Sequence, residues 1–261
     1  MKYLSLTIVL TILISGLWAF FVEPNILEIK HLKINNENLD GLKIVFASDF
    51  HIKPYEKHRL KKIIRKINEQ NPHIILLGGD YVNSHKKNMT YPIAKIASEL
   101  KSLKSKYGTF AVLGNHDGWQ GKYEVIQALQ DNNIQVLENS NINLDKFSVA
   151  GVEDLQTGNP NLQKALKNAE KNIILLTHSP DIFPQVPDTV MLTLAGHTHG
   201  GQIVFPGIKP LLVPSIYGTK YAFGLIQENN KKMYVSKGMG TSILPLRFNC
   251  RPEIVVIEFE K

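Results

Sequence analysis

Cysteine occurs once in 261 residues, as Cys250, and that scarcity excludes an intrachain disulfide. Aromatic residues are sparse at 8%, and no stretch interleaves them with basic side chains as a nucleic-acid recognition module would. Internal repeats and low-complexity tracts are absent, so neither a solenoid nor a biased tail organises the chain. Acidic residues are outnumbered, 23 against 30 Lys and Arg, which leaves a net charge of +7. That sign favours an anionic partner, and a bilayer of acidic lipids is the nearest one.

What is present is enough apolar residue, 43% of the chain, for one substantial domain but not for two independent cores. The run from Tyr3 to Val22 carries no formal charge. As a helix, these twenty residues at about 1.5 Å each would span about 30 Å, the hydrocarbon thickness of a bilayer. The run is too long for the apolar part of a typical signal peptide. It also lacks a small-x-small cleavage site, because Leu17 stands two residues before Ala19. An uncleaved N-terminal transmembrane anchor over 1–22 is the expectation. Lys2 precedes the run while Lys30 and Lys33 follow it, so both membrane faces stay open for the body of the protein.

Glu23-Pro24 ends the anchor helix, and residues 23–41 read as a connecting segment with an edge strand, ILEIKHLKI, and a polar turn. From 42 onward, strand and helix patterns alternate: strands 42–48, 73–78 and 109–113, each followed by a helix, at 57–70, 92–106 and 122–132. In the basic stretch KHRLKKIIRK, Leu60, Ile63, Ile64 and Ile67 share one face, which puts the Lys and Arg side chains on the solvated one. The second half is richer in strands. IQVLENSNINL and KFSVAGVED read as consecutive strands, NLQKALKNAEK as a short helix, and 172–177 and 190–195 as strands. GGQIVFPGIKPLLVP is a shaped loop, LIQENNKKMYVSKG a hairpin turning at Asn229-Asn230, and EIVVIEF the last strand. The fold class is α/β, with two sheets packed together and flanked by helices.

Five short polar segments punctuate this pattern: Asp49-x-His51, Gly79-Asp80, Gly114-Asn115-His116-Asp117, Thr177-His178 and Gly196-His197-Thr198-His199. Each follows an apolar strand-like run, which places its Asp, Asn and His residues at the carboxyl end of a strand, where open α/β sheets bind ligands. Carboxylate, amide and imidazole donors without thiols suit two divalent ions such as Mn²⁺, Fe²⁺ or Zn²⁺. Any one segment recurs by chance; all five in order are specific.

This ordered set resembles the signature of the calcineurin-like metallophosphoesterase superfamily, over about 42–260. GHTHGGQ with the Pro-rich loop and GMGTSILPLRFNCRPE resembles its membrane-anchored or exported bacterial branch, the YaeI- and YkuE-type phosphodiesterases. A related group comprises UDP-2,3-diacylglucosamine pyrophosphatases of the lipid A pathway. The resemblance implies a four-layer α/β sandwich with two mixed β-sheets over 42–261. It implies that Asp49, His51 and His199 hold one metal, that Asn115, His178 and His197 hold the other, and that Asp80 bridges them. Two dications, two carboxylates and a bridging hydroxide would leave a net +1 for polarising a phosphate. His116 would act at the leaving group. Asp117 either orients the His116 ring or caps its own loop. Arg247 and Asn249, with Tyr217 and Tyr221, are candidates for substrate contacts, Arg247 as a bidentate phosphoryl clamp. The implied reaction is hydrolysis of a phosphodiester or pyrophosphate bond in a substrate that an anchor would allow to be lipid-linked. The alternatives are a phosphomonoesterase on the same metals and a non-catalytic metal-binding scaffold. Retention of all seven ligand positions argues against the scaffold.

Overall fold

The computed structural model describes residues 2–261, without the side chains of Lys2, Leu4 and Ser5; Met1, the first residue of the expected anchor, lies outside the described residues. The N-terminal helix α1 (Lys2–Leu17) continues through a wider turn at Trp18–Val22 and closes at Glu23–Asn25. Leu6, Ile8, Val9, Leu10, Ile12 and Leu13 are all more than half exposed, so this stretch of the helix presents apolar side chains to its surroundings on every side. Leu6–Asn25 is long and apolar enough to cross a membrane, by length and composition.

The body holds two six-stranded sheets. In the first, β1 (Glu28–Asn35) and β12 (Glu253–Glu260) lie beside β2 (Lys43–Ala47), β3 (Ile74–Leu77), β4 (Thr109–Ala111) and β5 (Ile134–Val136). Strands β2 to β5 are mutually parallel, β12 runs antiparallel to β2, and β1 pairs parallel to β12 as the edge strand. The second sheet is ordered β10 (Gly224–Glu228), β11 (Lys231–Val235), β9 (Val190–Ala195), β8 (Ile173–Leu176), β7 (Ser148–Gly151) and β6 (Ser140–Asn143), with antiparallel pairs only at its two edges.

Strand period two explains the layers. Ile44, Phe46, Ile74 and Leu76 point between the sheets, where they meet Ile174, Leu176, Leu192 and Leu194. Val45, Ala47, Ile75 and Leu77 point the other way, onto Leu60, Ile63, Ile64 and Ile67 of α2 (Lys57–Asn68) and onto α3 (Ile93–Leu100). Leu175, Met233 and Val235 face outward from the second sheet onto Ala165 of α5 (Leu162–Leu166), Phe183 and Tyr221. With both faces covered, the central strands read as continuous apolar runs.

Four expectations need correction. The helix expected at 122–132 begins at Asn115, as α4 (Asn115–Gln130), kinked at Gly121, whose φ is 148°. The GNHD segment is therefore the helix's own first turn, with the Asp117 carboxylate accepting the N–H of Gly114 at 3.0 Å. The helix expected at 92–106 stops at Leu100, because the Asn68 side chain captures the carbonyl of Ser102 and the N–H of Lys104. Likewise α5 ends at Leu166, where Asn141 takes the carbonyls of Ala165 and Lys167. Finally, IQVLENSNINL is not one strand: Ile134–Val136 closes the first sheet and Ser140–Asn143 edges the second, the chain changing sheets through Asn139 at φ 48°.

Candidate metal centre

The carboxyl ends of β2, β3, β4, β8 and β9 meet at one end of the two sheets, and the five polar segments leave from there. Parallel register makes this convergence unavoidable: each segment starts within a few residues of its strand's last ladder bond. The turns are sharp. Asp49, His51, Asp80, His197 and His199 all hold φ between 42° and 71°, a left-handed region that costs such residues about 1 kcal/mol or more each.

Glycine makes the crowding tolerable at two places. A Cβ on Gly114 would lie 2.2 Å from Asp80 Oδ1, and one on Gly196 would lie 2.4 Å from Asp49 Oδ2.

The donor atoms fall into two sets that share Asp80. His51 Nε2 lies 3.1 Å from His199 Nε2, which is 3.5 Å from Asp49 Oδ1. His178 Nε2 lies 3.1 Å from Asn115 Oδ1 and 3.2 Å from His197 Nδ1. Asp80 Oδ2 stands between them, 3.3 Å from His51 Nε2 and 3.4 Å from His178 Nε2. Asp49, His51, His178 and Asp80 are each 2% exposed or less.

Among the described residues, no Lys or Arg pairs with Asp49 or Asp80; their ion-pair partners are these histidines. Two buried carboxylates, an amide oxygen and four imidazoles, with no Lys or Arg paired to the carboxylates, form a donor set suited to two divalent ions. Backbone contacts aim it: His178 Nδ1 sits 2.8 Å from the Gly78 carbonyl, which turns Nε2 inward. His197 N–H donates to Asp49 Oδ1 at 3.0 Å and fixes that carboxylate in turn.

The electrostatics follow from burial and from Asp80. Burial works to raise the Asp80 carboxyl, but the charge and hydrogen bonds of His178, with those of His51, hold it well below the usual range. Burial works to lower His178, and Asp80 overrides it, raising that imidazole well above its ordinary value. His197 and His199 are lowered, chiefly by burial. Neutral imidazoles are what metal ligation requires.

His116 lies at the rim of the centre, its ring 4.6 Å from that of His51 and its Nδ1 3.0 Å from the Asn83 carbonyl. Of the two readings of Asp117, the structure supports the loop cap: its oxygens accept the N–H groups of Asp80, Tyr81, Val82 and Gly114, and the Asn83 carbonyl orients the His116 ring instead. Burial and the Asp80 charge push Asp117 up to about 7 against the pull of those donors.

The four substrate-contact candidates are not gathered at the centre. Arg247 is wholly buried, and its guanidinium donates to the carbonyls of Lys237, Gly238, Gly240 and Cys250, so no donor is left for a phosphoryl clamp. Tyr221 is wholly buried with its hydroxyl on Glu228, which removes it from stacking on substrate. Tyr217 packs on Tyr221, and Asn249 is exposed in a left-handed turn at φ 52°.

Two neighbours of the centre escaped sequence reasoning. Gln156 Nε2 reaches within 3.4 Å of His197 Nε2, from a loop with no motif. The half-exposed Trp119 ring lies 5.3 Å from His116. Its i+3 spacing from His116 becomes a signal only once the helix is known to start at Asn115.

A family model described as calcineurin-like phosphoesterase matches residues 42–201. The chain is similar to the uncharacterized metallophosphoesterase YkuE of Bacillus subtilis, 33% identical over 92% of this chain and 87% of that protein. It is also similar to phosphodiesterase YaeI of Escherichia coli, 32% identical over 92% of this chain and 91% of that one. A zebrafish transmembrane protein with a metallophosphoesterase domain is 28% identical over 97% of this chain, which spans 61% of the zebrafish protein.

Proposed function

The chain belongs to the calcineurin-like phosphoesterase family, and we propose that it hydrolyses phosphodiester or pyrophosphate bonds at a membrane to which its N-terminal helix anchors it. The single observation that carries this reading is the placement of Asp80 Oδ2 between two donor sets, 3.3 Å from one histidine and 3.4 Å from another. In this reading Asp49, His51 and His199 serve one ion, Asn115, His178 and His197 the other, and Asp80 both.

Two divalent ions, when bound, supply the charge that polarises a phosphoryl group and lowers the pKa of water. The chain's own residues do the rest. Asp80 and Asp49, tied down by backbone N–H groups, fix the spacing of the donor sets. His116 keeps its Nδ1 proton on the Asn83 carbonyl, which turns Nε2 toward the departing oxygen. Nε2 gives up a proton there only from the imidazolium form, which burial disfavours and the Asp80 charge favours. Trp119 beside it offers an apolar wall for whatever group leaves.

The working division is an anchor at 1–22, a connecting segment at 23–41 and a catalytic body at 42–261. A largely exposed apolar helix beside a phosphate-cleaving centre favours an amphiphilic substrate such as UDP-2,3-diacylglucosamine, since tethering keeps headgroups within reach.

The test is UMP release from that compound by the detergent-solubilised protein with Mn²⁺, with bis-p-nitrophenyl phosphate in parallel and Asp80→Ala as control. Release that the variant lacks assigns the lipid-linked substrate. Cleavage of the aryl diester alone keeps the chemistry and discards that substrate. No cleavage of either by a metal-loaded protein overturns the reading.

A further inference from the structure

Beside the metal centre lies an apolar rim that neither the fold nor the chemistry above requires. Ile243 is 100% exposed, Leu212 81% and Leu211 66%; Ile208 is more than half exposed, and Leu244 and Phe205 a little less than half. Ile243 moreover holds φ 60°, a conformation that a β-branched residue adopts only under strain. Strain that serves to present an isoleucine to the outside points to something apolar there.

The residues come from two loops that the chain binds together. Gln202 donates from Nε2 to the carbonyls of Leu244 and Leu246, and its Oε1 accepts the N–H of Ser242. Phe205 packs on Phe248, their ring centres 5.6 Å apart, and Val204 N–H donates to the Phe248 carbonyl. Pro210 and the carbonyl of Leu212 close over Gly201, two residues past His199. The rim is thus built into the same loop that carries two of the centre's histidines.

It is also bolted to the N-terminal helix. Arg247 N–H donates to the Ala19 carbonyl at 3.0 Å, and Cys250 N–H donates to Glu23 Oε1, whose partner oxygen accepts from Trp18 Nε1. Ala19 lies four residues, about 6 Å of helix rise, inside the end of that helix. Surface-seated segments bury their apolar faces about 5–10 Å into the headgroup boundary, so a loop joined at Ala19 stands at that depth if the helix spans. Trp18, one residue before Ala19, is of the aromatic type that marks such a boundary. The rim's flanks are basic: Lys53 donates to Thr241, and Lys209 and Arg251 are exposed.

We propose that this rim, formed by 205–212 and 243–244, sits in the interfacial layer of the bilayer that holds the N-terminal helix, so that the metal centre opens toward phosphoesters carried on lipid headgroups. The proposal rests on the anchored-phosphoesterase reading and adds a second, non-helical contact with the membrane. Basic flanks on an apolar tip favour an anionic lipid surface over a second copy of this equally basic chain.

The test uses the full chain in vesicles of phosphatidylcholine with phosphatidylglycerol and doxyl-labelled lipid. A bimane label is placed in turn at Ile243→Cys, Leu212→Cys, Leu13→Cys and Asn229→Cys, with the unsubstituted chain as blank because Cys250 is buried. Asn229 is the reference for water, at the β10–β11 turn and at the opposite end of β11 from the centre. Quenching at Ile243 and Leu212 that approaches the Leu13 level, with none at Asn229, is the expected result. Quenching at Leu13 alone overturns the rim proposal and leaves the anchor intact; no quenching at Leu13 overturns both.

A second arm measures turnover. Ile243→Asp combined with Leu212→Asp should lower hydrolysis of a p-nitrophenyl phosphatidyl ester in those vesicles by about tenfold while sparing soluble bis-p-nitrophenyl phosphate. An equal loss on both substrates, or none on either, overturns the proposal. A native protein inactive on both would instead fail the catalytic reading, while the quenching still decides the rim.

Discussion

The main-chain N–H of His116 donates to Asp80 Oδ1 at 2.9 Å, while Oδ2 of the same carboxylate faces His51 and His178. One side chain therefore ties the residue assigned to the leaving group to both halves of the donor set. The helix that begins at Asn115 contributes the N–H through its first turn, where backbone donors are free of helical partners. The arrangement separates two jobs of Asp80, holding a backbone and bearing a charge.

Asp80→Asn tests that separation, because an amide oxygen still accepts the His116 N–H but carries no charge. The far-UV spectrum and melting profile should stay close to native, while metal retained after gel filtration in Mn²⁺ should fall from about two equivalents to one or fewer. Turnover of an aryl phosphodiester should fall with it. Two tightly held equivalents in the variant would show that Asp80 does not bridge.

His116→Ala should give the complementary result. Metal content should match the native protein, and turnover should fall by about 10²–10⁴-fold, the usual worth of a positioned acid. The loss should be largest for esters whose leaving group is a poorly acidic alcohol and smallest for p-nitrophenolate, which departs without a proton. A uniform loss across leaving groups would reassign His116 to holding the phosphate.

Arg247→Met should damage stability rather than substrate affinity. The guanidinium makes bonds of 2.6–3.0 Å to Gly240, Cys250 and Lys237, which leaves several buried carbonyls orphaned when it goes. At about 1–3 kcal/mol for each unsatisfied group, the total reaches at least about 3 kcal/mol. With about 2–4 °C lost per kcal/mol at this size, the melting temperature should drop by roughly 6–12 °C. The KM for a soluble phosphodiester should be unchanged in protein kept below that transition. A raised KM with a native melting temperature would restore the phosphoryl clamp.

The alternation of apolar runs with helical patterns was sufficient to read the α/β layers, because strands such as β2 and β3 are buried on both faces and leave no polar positions to confuse the pattern. Asp49, His51, Asp80, Asn115, His178, His197 and His199 were legible as a group because each follows a strand, and parallel strands deliver their ends to one place. What stayed hidden depends on long-range partners. Nothing near Asn68 announces that its side chain will stop a helix more than thirty residues on. Arg247 in a Gly- and Pro-rich context reads as a ligand for phosphate, and only burial under Lys237, Gly238 and Gly240 shows that its ligands are carbonyls. The left-handed turns at five of the candidate ligands were invisible because Asp and His, though enriched in that conformation, adopt it too rarely to signal it as glycine does.

Gly114 offers a test of how closely the centre is packed, since no functional group is changed. In Gly114→Ala the added methyl would stand 2.2 Å from Asp80 Oδ1 and 2.6 Å from His178 Cε1, so one of the two must move. Neither moves freely. Asp80 Oδ1 is bonded to His116 N–H, and His178 is held by the Gly78 carbonyl at 2.8 Å. Shifting a side chain that orients the site costs metal affinity about as much as losing an outer partner does, about 10–100-fold. Titration with Mn²⁺ should show that weakening, with turnover partly recovered at high metal concentration because every donor is still present. Native affinity in the variant would mean that the backbone at Gly114 yields more readily than its position at the head of α4 suggests.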